Sequence, residues 1–141
     1  MRLAAAQGFD DAVFLDRRGR LSEATIWNLA FWDGTAVVWP EADVLGGITM
    51  GILRRQLHRI GIPQRTRPVT PADLPALAGA VVMNSWTPGV AVTRIGSTPL
   101  PEAPSFLDIL HRAYQAETPT VPGNPTPAAA LRRWCAAPYH R

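Results

Sequence analysis

The chain has 141 residues, 47% of them hydrophobic and five of them Trp, which suffices for one domain with a real core and excludes disorder throughout. Its formal charge is only +3, and its 14 basic residues are all Arg, scattered without interleaved aromatics, which argues against a nucleic-acid face. One cysteine excludes an internal disulfide, His58, His111 and His140 lack metal-ligand spacing, and no apolar run reaches the ~20 residues that cross a bilayer, so the expectation is a cytoplasmic protein with no metal and no membrane or nucleic-acid partner.

In chain order, "LAAAQ" reads as the end of a helix with Gly8 as its left-handed cap, so the expected elements begin partway through a helix. "AVFLD", "LSEATIWNLAF" and "AVVW" read as three strands of a meander, with turns at Gly19 and at Asp33-Gly34. A glycine-bearing loop, "EADVLGGIT", leads into a helix from about Thr49 to Ile60, with Met50, Leu53, Leu57 and Ile60 on one face and Arg54, Arg55, His58 and Arg59 on the other. "IPQRTRPV" holds a short strand, and Thr70-Pro71-Ala72-Asp73 starts a short helix that Gly79 ends. Two further strands, "AVVMNS" and "GVAVTRIG", precede a last amphipathic helix, "SFLDILHRAYQAE". Four prolines between residues 118 and 127 read as a linker or extended tail, and "AAALRRWC" as at most a stray helical turn.

Three places could carry chemistry. Glu23 puts a carboxylate in an apolar, strand-like run, where it must face water or hold a positive charge. "LGGITM" sets a glycine pair before a helix start, whose free N–H groups and positive dipole end suit an anion, although Thr49 could be a plain N-cap and the glycines a plain turn. Ser85 closes an apolar strand and could be a second anion donor or an ordinary strand-end hydroxyl. With no Lys in the sequence, chemistry through a lysine Schiff base is closed to this chain by itself.

The order of these segments adds to their meaning. "FLDRRGRLSEATIWNLAFWDG", "VVWP" and "VLGGITMGILRR" resemble the signature of the class IV aminotransferases, the fold-type-IV pyridoxal-phosphate enzymes that include branched-chain and D-amino-acid aminotransferases and aminodeoxychorismate lyase. Glu23, Asn28, Pro40 and the run Leu45, Gly47, Ile48, Thr49 carry the match, which spans roughly residues 8 to 117. The resemblance implies an α/β (α+β) fold, the C-terminal large domain of these enzymes, a mixed sheet or pseudo-barrel with flanking helices. It implies pyridoxal 5′-phosphate as cofactor, held weakly or not at all by this chain by itself, with Glu23 holding the pyridine nitrogen protonated and Ile48, Thr49 and Ser85 holding the phosphate. Amino-group transfer between two small molecules, an amino acid and a keto acid, by a homodimer, is the activity it implies.

Two departures limit that reading. The family's Schiff-base lysine lies in a stretch this chain lacks, and Met50 stands where many members carry Arg. The expectation is therefore a cofactor-binding domain over 1–117 with its N-terminal domain missing and a poorly ordered tail over 118–141. Such a chain reads as truncated, inactive alone, and dependent on a homodimer partner or a complementing N-terminal domain. The alternatives are a non-catalytic remnant acting as a binding or interaction module, and a fragment of an aminodeoxychorismate lyase-like enzyme.

Overall fold

A computed structural model describes residues 2–117 and 132–138. Helix α1 (Arg2–Ala6) ends where Gly8, at φ 80°, turns the chain so that Phe9 N–H donates to the Ala4 carbonyl. Strands β1 (Asp11–Leu15) and β2 (Leu21–Ala24) follow as a hairpin. Its turn is drawn together by the Asp16 carboxylate, which accepts the backbone N–H groups of Arg18 and Arg20 and the Arg20 Nε–H.

The sequence suggests one strand from Leu21 to Phe31, but the structure divides it. The chain reverses at residues 25–27, where Ala24 N–H donates to the Trp27 carbonyl, and β3 (Asn28–Trp32) returns antiparallel to β2. The cause is a competing side-chain bond: the Thr25 hydroxyl donates to the Asp11 carboxylate and draws the segment away from an extended path. The meander thus has four strands, the fourth being β4 (Val37–Pro40).

Helix α2 (Ile48–Arg59) leads to β5 (Gln64–Arg67), which pairs parallel with β4. The short helix after Thr70 is a 3-10 helix, Pro71–Ala76, rather than an α-helix, and Pro75 within it has no N–H to give to an α-helical ladder. Gly79 opens β6 (Gly79–Asn84) and does not cap that helix; a Cβ there would lie 2.6 Å from the Ala103 side chain. Strand β7 (Thr87–Ile95) and helix α3 (Pro104–Glu117) complete the expected series, and between them the two-residue β8 (Thr98–Pro99), which the sequence does not suggest, pairs with the end of β7.

One further strand runs against expectation. Residues Arg132–Pro138, which the sequence suggests as at most a helical turn in a poorly ordered tail, form β9, parallel to both β1 and β7. Residues 118–131, with all four prolines of the expected linker, lie outside the described part. With β9 in place the strand order is β2-β1-β9-β7-β6-β3-β4-β5, and the additional β2–β3 pairing closes the first six strands into a ring.

Alternation along the strands fills two cores. Val13, Leu21, Leu29, Phe31, Val82 and Val92 pack together on the face turned away from α2 and α3, where Leu74 of the 3-10 helix joins them. Ala30, Val37, Trp39, Val81 and Met83 face the other way, against Leu53 and Leu57 of α2 and Phe106 and Leu110 of α3. The result is a mixed α/β domain with a curled, largely antiparallel sheet and flanking helices, as the sequence reading expects.

Candidate functional site

The ring closes at a single registered pair, Glu23 on β2 opposite Asn28 on β3, and Asn28 also faces Met83 on β6. Asn28 is only 9% exposed, whereas Glu23 is half-buried. The loop before α2 lies against this pair. Leu45 N–H donates to Glu23 Oε2 at 3.3 Å, Asn28 Nδ2 donates to the Leu45 carbonyl at 2.8 Å, and Gly47 N–H donates to Asn28 Oδ1 at 3.1 Å.

Gly47, not Thr49, is the N-cap of α2, and no side chain caps the helix or places an acid in its first turn. The first-turn N–H groups and the positive end of the dipole are thus left for an outside anion. Thr49 is 4% exposed and its hydroxyl donates to the Asn84 carbonyl at 2.8 Å, which ties the helix start to the end of β6. A hydroxyl has one proton, so in this arrangement Thr49 offers an anion its backbone N–H, and its hydroxyl proton only after rotating off Asn84. Ser85 is exposed in the two-residue turn between β6 and β7, where Trp86 N–H donates to Asn84 Oδ1.

A cleft of about 460 Å³ opens at the ring closure, lined among others by Phe14, Glu23, Thr25, Trp27, Asn28 and Leu45. Its size suits a small molecule. Ile48, Thr49 and Ser85 do not line it; they join it through the Asn28–Gly47 and Thr49–Asn84 hydrogen bonds. Four large apolar side chains stand exposed beside these residues: Ile26, Leu45 at 71%, Ile48 at 82% and Trp86 at 85%.

Two residues behind the cleft escape a reading of isolated residues. Asp11 is buried, and its carboxylate accepts the Ala12 N–H, the Thr25 hydroxyl and the Trp27 Nε1–H, holding the β2–β3 turn from beneath. Its only sequence signal is an acid at the first position of an apolar strand. Asn84 has no signal beyond its place at a strand end, yet its carbonyl and its side chain organise the Thr49 and Trp86 ends of the site. Among the described residues no group of three His, Cys, Asp or Glu could hold a metal ion, and no helix is long and apolar enough to cross a membrane.

The family model for amino-transferase class IV matches residues 1–95. A probable branched-chain-amino-acid aminotransferase of Synechocystis sp. is 33% identical over 73 residues, covering 50% of this chain and 24% of that protein. Among solved structures, a Legionella pneumophila protein put forward as a 4-amino-4-deoxychorismate lyase superposes with a TM-score of 0.77 at 20% identity, over 83% of this chain and 44% of the other. A branched-chain amino acid aminotransferase of T.th., solved with pyridoxamine 5′-phosphate, gives 0.75 at 23% identity, over 86% and 42%. At these identities the structural likeness shows the fold. The chain spans a quarter to under half of the length of these relatives.

Proposed function

The chain belongs to the amino-transferase class IV family, and we propose that residues 1–117, with β9 completing their sheet, form the cofactor-binding domain of a pyridoxal-phosphate-dependent enzyme that moves an amino group between an amino acid and a keto acid. The observation that carries this is the pairing of opposite demands at one site: a carboxylate in a cleft, and an uncapped helix N-terminus tied to it through Asn28. Pyridoxal phosphate presents a protonated pyridine at one end and a dianionic phosphate at the other, so its charges fit the residues present. When bound, it supplies an electron sink for charge developing at an amino acid's α-carbon.

In this reading Glu23 accepts a hydrogen bond from the pyridine N–H and keeps that proton in place. Glu23 already accepts one N–H, from Leu45 at 3.3 Å, through a single oxygen, which leaves Oε1 for the ring. The backbone N–H groups of Ile48 and Thr49 hold the phosphate, with Ser85 as a further hydroxyl donor from the neighbouring turn. The exposed Ile26, Leu45, Ile48 and Trp86 fit a rim that a partner covers, either a second copy in a homodimer or a complementing domain.

A second reading, a non-catalytic module that binds pyridoxal phosphate, is favoured by one observation: none of the 141 residues is Lys. Both readings require the cofactor site, and the lyase and transferase versions share it. Titrating the chain with pyridoxal 5′-phosphate while following tryptophan fluorescence tests that site. Saturable binding is expected, reversible on dialysis and competed by inorganic phosphate, and Glu23→Gln should weaken it about tenfold by removing a charge-assisted hydrogen bond. Absence of saturable binding would overturn the assignment.

A further inference from the structure

We infer that Asn28 is a positioning residue that sets the alignment between the two ends of the candidate site, the Glu23 carboxylate and the N-terminus of α2; the inference rests on the function proposed above. The two ends are carried by different elements. Glu23 belongs to β2 and is fixed by the sheet, while α2 is fixed by Leu53 and Leu57 in the core between the sheet and α3 and by the Thr49–Asn84 bond. What joins them is the segment from Leu45 to Gly47, and that segment is exposed throughout. With no burial to hold it, its path depends on three hydrogen bonds, and Asn28 makes two of them.

The side chain has to be an amide. It accepts from Gly47 N–H and donates to the Leu45 carbonyl at once, which a carboxylate cannot do and an apolar isostere cannot do at all. Its backbone has little freedom, being paired to Glu23 on one side and to Met83 on the other. The carboxamide is therefore a template of fixed position, and the loop is fitted to it.

Gly47 is the other half of the device. Its φ of −77° is open to any residue, so conformation does not require glycine there. A Cβ at that position would lie 2.6 Å from Asn28 Oδ1, so the glycine is needed for close approach. Any side chain would push the loop off the amide while leaving β2 and the body of α2 where they are.

Loss of this alignment has a signature that a general loss of stability does not share. An anion needs only the helix end, whereas a ligand with a phosphate and a ring needs both ends in register. The test is titration of the full 141-residue chain and its Asn28→Ala, Asn28→Asp and Gly47→Ala variants with inorganic phosphate and with pyridoxal 5′-phosphate. Wild type should prefer pyridoxal 5′-phosphate. In Asn28→Ala and Gly47→Ala that preference should fall about tenfold, the worth of one or two hydrogen bonds, while the Kd for inorganic phosphate changes by less than about twofold. Asn28→Asp, which keeps the acceptor for Gly47 N–H and loses the donor to Leu45, should fall between.

Amide exchange at Leu45 and Gly47 should quicken in Asn28→Ala. If the buried Asn28 variants do not fold, Gly47→Ala at its exposed position carries the test. A wild-type chain without preference for pyridoxal 5′-phosphate overturns the functional assignment and the inference with it. A preference that survives in the variants, or a weakening that is equal for both ligands, overturns the inference alone.

Discussion

Asp33 shows how much of a turn one carboxylate can hold. Its Oδ1 accepts the N–H groups of Thr35 and Ala36 and the Thr35 hydroxyl, closing the β3–β4 hairpin. The backbone N–H groups of Ala36 and then Thr35 hold its pKa below the ordinary value, against a small opposing push from burial. Asp73, bonded by Thr70 N–H, is lowered in the same direction. A carboxylate with a depressed folded-state pKa contributes stability that is present above its unfolded value of about 3.9 and is lost as pH falls through the folded value. Stability should therefore decline as pH drops below about 4, and Asp33→Asn should be less stable at neutral pH while losing less over that acid window. Urea midpoints measured across the window check the sign.

At the scale of elements, α2 carries both a structural face and a functional end. Leu53 and Leu57 are fully buried against the sheet, while Arg59 in its last turn is exposed. Leu57→Ala should cost about 2–5 kcal/mol, a transfer loss plus a cavity, and Arg59→Ala should stay within about 0.5 kcal/mol of wild type. Denaturant melts of the two variants give the comparison. Because the helix start reaches the cleft through the Gly47–Asn28 bond and β6 through the Thr49–Asn84 bond, the packing face and the proposed anion-holding end belong to one helix.

For the whole molecule, β9 decides whether the ring is closed. Removing it leaves the paired edges of β1 and β7 open and takes away the partly buried Ala136 that packs on the core around Val13 and Leu29. A chain ending at residue 117 should thus bind a hydrophobic dye and lose its sharp unfolding transition, whereas the 141-residue chain should unfold cooperatively. Equal melting curves and equal dye binding for the two would show that β9 contributes nothing. The exposed Ile26 and Leu45 line the cleft, so dye bound there should persist in both chains and be reduced by a covering partner.

Most of the elements could be read from the sequence because their causes are local. The 3.6-residue spacing of Leu53 and Leu57, the alternation of Leu29, Ala30 and Phe31, and the glycines at turns 8 and 19 act within a few residues of where they stand. The order Glu23, Asn28, Leu45, Gly47, Ile48, Thr49 likewise carries the family, since spacing along a chain survives without coordinates. Three features have distant causes. The split of β2 from β3 depends on Asp11, 14 residues before Thr25. Strand β9 has no strong period of its own and is a strand because β1 and β7 each offer it an edge. The helix start is tied to Asn84, 35 residues after Thr49, and to Asn28, 19 residues before Gly47. Sequence alone thus determined which residues have the chemistry, and tertiary structure decided which of them meet, because a hydrogen bond between partners far apart in the chain depends on the closure of the sheet and not on any local preference.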